Sequence, residues 1–335
     1  MNFHCIGFGS INIDEFWETS SKFFQLIGIA SGQEVVQDIH WFNKYYPLLK
    51  IFGVLKGVGL GGSAANTIAA LHRMGFFTGF FGAVGNDIHR KIDLDELGQS
   101  DALCIRHTDL PSGRCIALIN AEDANRDRAL VILPNANNLA DEASLDVSYF
   151  CDSNWVHLTS FVSTGPLEAQ KKLLLNLPDK VNISFDPGAV YCRLGIRILE
   201  PIIARSRVLF LAEEELSDLM GPAQMNESIS KLISLGVKAI VIKMGHRGIK
   251  VFQANKTWFH DAVKPVSIVD RTGAGDVAAA GFIAGMILSL SPMDCLALAS
   301  GTASKSIQGY GRSMYPDSEY LKNFLVNRQI NVYSW

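Results

Sequence analysis

None of the six cysteines (Cys5, Cys104, Cys115, Cys151, Cys192, Cys295) stands in a C-x-x-C pair or at metal-ligand spacing. Neither a disulfide framework nor a thiolate metal site is indicated, and the thiols read as reduced and mostly structural, as expected in a reducing cytoplasm. The eight histidines show no H-x-x-x-H spacing, so a zinc site lacks support. There is no block of like charge. With 30 basic and 33 acidic residues the net charge is −3, so binding to nucleic acid or to an anionic membrane is not expected. No apolar run reaches the roughly 20 residues that span a bilayer. The longest, Val277 to Leu290, reads as a buried helix. The N-terminal MNFHCIGFGSINIDEF has no basic n-region and is broken by polar residues, so it reads as a strand rather than a signal peptide. The absence of a G-x-x-x-x-G-K-[ST] loop excludes a P-loop enzyme.

What is present is a chain of 335 residues, 48% of them hydrophobic, enough to fill the core of one large α/β domain or two smaller ones. The stretch that organises it runs from Val266 to Ile287. A β-branched run (Val266, Ile268, Val269) meets glycines at Gly273 and Gly275, and small residues continue at helical spacing through Ala278, Gly281 and Gly285. This predicts strand, tight turn and helix. Unpaired amides at the positive end of a helix suit an anion. Asp276 would repel a phosphate, so beside such a site it needs another task, such as taking a proton from an attacking hydroxyl. The plainer alternative is that Asp276 stabilises a helix N-terminus and the small residues permit close packing.

Upstream, Phe3 to Phe8 is expected to be a strand. The following alternation sets Ile11 and Ile13 on one face, Asn12 and Asp14 on the other. Those two polar groups could hold vicinal hydroxyls, although a solvated strand end is the simpler account. Glu15 to Lys56 is aromatic-rich and irregular, compatible with an inserted flap or with ordinary core packing. Gly57 to Gly75 predicts a helix that starts after Gly62-Ser63 and stops at Gly75, with Ser63 as its cap, and Asn66 one turn in could bond a substrate hydroxyl. Gly57, Gly59 and Gly62 also satisfy G-x-G-x-x-G, but they follow no first strand and lack the acidic partner of a dinucleotide site. A helix is expected over Ile88 to Leu97, and strands over Phe76 to Val84, Cys115 to Asn120 and Ala129 to Leu133. From Trp155 to Lys243, strands and helices alternate regularly, which predicts a parallel sheet covered on both faces. Ligands collect beyond the carboxyl ends of such strands. Asp186-Pro187-Gly188, Glu213 to Glu215, Lys243 to Gly248 and Asp270 to Asp276 all fall there.

GGSAANTIAALHRMG (Gly61 to Gly75) and DRTGAGDVAAAGFIAG (Asp270 to Gly285) resemble the two signature segments of the PfkB, or ribokinase-like, carbohydrate kinase family. GSINID, GAVGND, SGR, DPG, EEE and MGHRG lie between and before them in the family's order. The resemblance covers nearly the whole chain. It implies a single domain over 1–335, a three-layer α/β/α sandwich with a mostly parallel central sheet and a small β-sheet lid drawn from 15–60 and 103–133. The implied activity is transfer of the γ-phosphoryl group of ATP to a primary hydroxyl of a sugar or nucleoside. Asp276 would then be the base, with Gly273, Ala274 and Gly275 as an anion hole. Asn12, Asp14, Gly61, Gly62, Ser63 and Asn66 would contact the acceptor. Lys243, Gly245, Gly248 and Thr272 would lie on the nucleotide side, with Mg²⁺ approached by Glu215 through water. A monovalent cation and a homodimer are compatible with the family pattern.

Two residues depart from that pattern. The N-x-x-E element reads Ala212-Glu213-Glu214-Glu215, which bears on metal handling, and D-T-T-G-A-G-D reads with Arg271 at its second position. Arg271 could reach a phosphate, replace a monovalent cation or face solvent. The GGSAAN spelling and the long aromatic segment before it look closer to the adenosine-kinase side of the family. Ala212 also leaves room for a non-catalytic nucleotide- or sugar-binding regulator on the same fold.

Overall fold

A computed structural model describes residues 2–87, 94–99, 102–122, 128–254 and 256–330. Its strands are β1 (Phe3–Phe8), β2 (Asn12–Thr19), β3 (Glu34–Val36), β4 (Val54–Gly61), β5 (Thr78–Gly85), β6 (Leu103–Thr108), β7 (Gly113–Asn120), β8 (Arg128–Leu133), β9 (Ser153–Thr159), β10 (Asn182–Asp186), β11 (Val208–Ala212), β12 (Ala239–Lys243), β13 (Ile249–Gln253) and β14 (Lys256–His260). The helices are α1 (Ser21–Ile27), α2 (Ile39–Phe52), α3 (Ser63–Arg73), α4 (Val147–Cys151), α5 (Thr164–Asn176), α6 (Gly188–Cys192), α7 (Ile196–Arg205), α8 (Glu213–Met220), α9 (Met225–Ser234), α10 (Ala274–Ile287), α11 (Pro292–Ser306) and α12 (Ser318–Asn327).

Nine strands form the main sheet in the order β14-β13-β12-β11-β10-β9-β1-β5-β6. It is parallel from β6 to β12, and β13 and β14 add an antiparallel edge. Apolar side chains leave both faces of these strands, as crossover connections require. On one face α3, α10 and α11 close a core around Ile68, Phe80, Phe210 and Phe282; on the other, α5, α7 and α9 pack on Phe8, Val156, Ile183 and Ile240. Helix α10 is apolar around its whole circumference because it is enclosed. Its Gly281 lets α11 approach so closely that a Cβ there would lie 2.8 Å from the Ala299 Cα.

The second sheet runs β3-β8-β7-β2-β4. It holds most of the aromatic segment that looked irregular in sequence: Trp17, Phe23, Phe24 and Trp41 form a core of their own beneath α1 and α2. Inside it the carboxylate of buried Glu15 pairs with Arg114 and accepts from Tyr46 Oη at 2.8 Å and from Trp17 Nε1 at 3.0 Å.

Several expectations are corrected. Val266 to Val269 is not a strand: these residues are exposed, Val266 at 95%, and their backbone tie is Val269 N to the Ile307 carbonyl at 2.8 Å. Ser63 does not cap α3; it is the first helical residue, the cap position is Gly62, and no side chain supplies the cap bond. The segment 103–108 belongs to the main sheet as β6 and pairs with β5, so only β7 and β8 of that region join the second sheet. The helix expected from Ile88 falls mostly outside the described residues; Leu94–Leu97 is a 3-10 turn. Among the described residues no helix is long and apolar enough to cross a membrane.

Candidate active site

The carboxyl ends of β10, β11 and β12 deliver Asp186, the Ala212 corner and Lys243 side by side. Lys243 Nζ donates to Asp186 Oδ2 at 2.6 Å, with both side chains nearly buried. Burial alone would pull the lysine down, but the Asp186 and Glu215 carboxylates outweigh it and hold the ammonium above its ordinary value. Glu215 Oε2 accepts from the Ala212 amide at 2.6 Å, half of a capping box that survives because the bond needs only backbone at position 212. Burial raises the Glu215 carboxyl, while Lys243 opposes the shift. Glu213 at the same corner pairs with Arg247 of the loop after β12.

Helix α10 opens at Gly273, which adopts the left-handed conformation (φ 73°) that only a glycine takes without strain. The Ala274 amide donates to the Arg271 carbonyl at 3.3 Å, and the Gly275 and Asp276 amides stand in the first turn, where the helix has no carbonyl for them. Lys243 Nζ lies 3.5 Å from where a Cβ on Gly275 would sit, so the ammonium overhangs this turn. Thr272 turns away from it. Its amide and hydroxyl both donate to Asp270 Oδ1, at 2.9 and 2.7 Å, so the side chain ties off the turn instead of facing the cleft.

Asp276 is held by Asn66, whose Nδ2 donates to Oδ2 at 2.9 Å. Burial, with the Asp186 and Glu215 charges, pushes Asp276 up to about 7, against the opposing effect of Asn66 and Lys243. Asn66, expected to contact an acceptor hydroxyl, directs one N–H of its amide at Asp276.

Asn12 and Asp14 open β2 of the second sheet and share a face, with Ile11 and Ile13 buried on the other. Asn12 Oδ1 accepts from Asn137 Nδ2 at 2.8 Å, and Asn137 Oδ1 accepts from the Ile11 amide at 2.9 Å. Burial pushes Asp14 up to about 7, Arg312 opposing and Asp276 adding to the shift. Its buried Oδ1 has no hydrogen-bond partner among the described residues. A Cβ on Gly61 would come within 2.0 Å of that carboxylate, so the β4 strand reaches Asp14 only as glycine. Ser63 is exposed at the start of α3.

A cleft of about 670 Å³ brings together Lys243, Gly245, Gly248, Ala274 and Gly275, with Arg271 exposed at its wall. The second sheet touches this region through Arg128, 3.7 Å from Asp270 Oδ1, while Asp270 Oδ2 is buried without a partner. Sequence reasoning placed Asp186 at a strand end without giving it a role, and missed Arg312 and Asn137. Only Asp186 carried a local signal, as the first residue past a predicted strand. The other two act through contacts more than 100 residues apart in sequence.

Comparison with known proteins bears on this arrangement. The family described as pfkB family carbohydrate kinase matches residues 57–317. An uncharacterized sugar kinase of Archaeoglobus fulgidus is 28% identical over 246 residues, covering 72% of this chain and 95% of that protein. A ribokinase of Arabidopsis thaliana is 26% identical over 279 residues, covering 75% and 68%. Among solved structures, a probable sugar kinase from Rhizobium etli superposes with a TM-score of 0.79 at 18% identity, over 96% of this chain and 99% of that one. Arabidopsis ribokinase complexed with ribose and ATP gives 0.76 at 21% identity, over 97% and 99%. A putative ribokinase II from E. coli in complex with ATP and Mg²⁺ gives 0.74 at 20%, over 97% and 99%. These likenesses identify the fold as ribokinase-like.

Proposed function

We propose, since this chain belongs to the pfkB family of carbohydrate kinases and is thereby an ATP-dependent sugar or nucleoside kinase, that it transfers the γ-phosphoryl group to a primary hydroxyl with Asp276 as the base. The observation that carries this reading is the placement of Asp276: a carboxylate fixed by Asn66 in the first turn of α10, beside unpaired amides and the overhanging Lys243.

The nucleotide lies in the cleft over Gly245, Gly248 and Ala274. Its γ-phosphoryl group points to the Gly273 to Gly275 turn, where amides and the Lys243 ammonium meet charge that develops during transfer. Asp276 accepts the proton of the attacking hydroxyl, and its raised pKa makes it a stronger base than an ordinary carboxylate. Asn12 and Asp14 hold the acceptor's other hydroxyls; the unpartnered Asp14 Oδ1 is a group that such a donor would satisfy. Mg²⁺ enters with ATP as part of the substrate and keeps most of its waters, so it needs few protein carboxylates. Glu215 would reach it through water. The buried, unpartnered Asp270 Oδ2 suits a monovalent cation, and Arg128 already brings positive charge to that carboxylate. The second sheet acts as the lid over the acceptor, which excludes the water that would otherwise compete for the phosphoryl group.

The test is Mg-ATP consumption against nucleosides, pentoses, hexoses and hexose phosphates, with Asp276→Asn as control. The variant is expected to fold and to lose roughly 10²–10⁴-fold in turnover on the one accepted substrate. Wild-type turnover in the variant would sink the assignment, and nucleotide binding without transfer to any acceptor would favour a regulatory protein.

A further inference from the structure

Asn66 presents one carbonyl oxygen and one NH₂, and which of them faces Asp276 decides whether that carboxylate is stabilised or repelled. The structure grips the amide from both sides. Nδ2 donates to Asp276 Oδ2 at 2.9 Å, and Oδ1 accepts from Arg312 Nη2 at 3.1 Å and Nε at 3.3 Å. A guanidinium can only donate, so the atom against Arg312 must be the oxygen, which leaves the NH₂ for Asp276. Arg312 is 8% exposed. Its Nη1 donates to Glu96 Oε2 at 3.0 Å, and its own carbonyl accepts from Arg73 Nη1 at 2.7 Å, so the fork is anchored on its outer side as well. Directing both inner donors of a buried cation onto a neutral amide is an expensive arrangement for packing alone.

We propose that Arg312 is a positioning residue for phosphoryl transfer: by filling Asn66 Oδ1 it locks the amide so that Nδ2 is presented to the base Asp276. The proposal rests on the reading of Asp276 as base. Asp276 is faced by Asp186 from β10, Glu215 from α8 and Lys243 from β12. Tyr315, from the same segment as Arg312, and Asp14, from β2, also interact with it electrostatically. Among the groups that lower Asp276, the Asn66 hydrogen bond comes ahead of Lys243. Releasing the amide therefore removes the main group that favours the ionised base.

The experiment is the pH dependence of kcat in wild type, Arg312→Met, Arg312→Lys, Asn66→Ala and the double variant Arg312→Met/Asn66→Ala. In Arg312→Met the acidic limb is expected to move up by about one pH unit, with kcat near neutrality down roughly fivefold and KM for Mg-ATP unchanged. Arg312→Lys, which keeps a donor, recovers part of the shift, and the double variant matches Asn66→Ala. A wild-type limb in Arg312→Met overturns the proposal. So does a shift of equal size on adding Arg312→Met to Asn66→Ala, because that would be a through-space charge effect. Should Arg312→Met not fold, Arg312→Leu replaces it with the same expectations: an acidic limb raised by about one pH unit supports the proposal and a wild-type limb overturns it. Failure of the base assignment looks different: Asp276→Asn would then be active whatever the Arg312 series does.

Discussion

At the scale of single residues, the pKa of Asp276 makes two linked claims. As the proposed base, Asp276 has to be ionised to accept a proton, so kcat/KM for the acceptor should fall about tenfold per pH unit below about pH 7. A flat profile down to pH 5 would contradict it. For stability the sign runs the other way. The folded state holds the Asp276 proton up to about pH 7, whereas the unfolded chain releases it near the ordinary 3.8. Ionisation in the folded state is therefore a cost that grows from about pH 4 and is complete above about pH 7. Asp276→Asn should unfold at higher temperature than wild type at pH 8 and at a similar temperature at pH 4, as scanning calorimetry would read. The presence of Asp276 beside a glycine turn was legible in the sequence. Its partner Asn66 was also visible, but as a residue for the acceptor. Nothing local tells which way an amide points when the group that orients it, Arg312, lies 246 residues away.

At the scale of elements, the alternation from β9 to β12 could be read because each strand and helix carries its own period, and the strand ends then fixed where Asp186 and Lys243 would lie. The run Val266 to Val269 misled for a related reason. β-branched residues favour strands only where a neighbouring strand pairs with them, and here the backbone of Val269 is tied to the Ile307 carbonyl after α11 instead. The aromatic segment hid a second sheet because its strands are interleaved with two helices and pair with β7 and β8, far along the chain. The contact between β4 and β2 yields a sharp prediction. A methyl group on Gly61 would collide with the Asp14 carboxylate, so Gly61→Ala should displace Asp14 and lower kcat/KM for the acceptor roughly 10²-fold. The KM for Mg-ATP should stay as in wild type, because the nucleotide cleft is built from other strands. An equal rise in both KM values would contradict this division of the site.

At the scale of the whole molecule, the candidate site draws on both sheets, whose cores meet where Ile13 of β2 and Leu60 of β4 pack into the main core. Asn12 and Asp14 lie on β2 of the second sheet, which has an aromatic core of its own, whereas Asp186 and Lys243 end strands of the main sheet and Asp276 lies in the first turn of α10. Binding that spans both should restrain their relative motion. Acceptor and ATP together are expected to slow hydrogen exchange over residues 15–60 more than either alone; unchanged exchange there would contradict a lid role for the second sheet.

The long reach of Arg312 back to Asn66 also has a consequence in time. A ribosome adding about 5–20 residues per second needs on the order of 10–50 s to travel the 246 residues between them. Through that interval the nascent chain can already make β5 to β14, while the Asn66 amide waits for its guanidinium. If Arg312 orients the amide as proposed, Asn66 gains its partner only after the Asp270 to Asp276 turn has been made, and an unfinished polypeptide carries Asp276 without the guanidinium that would steer it.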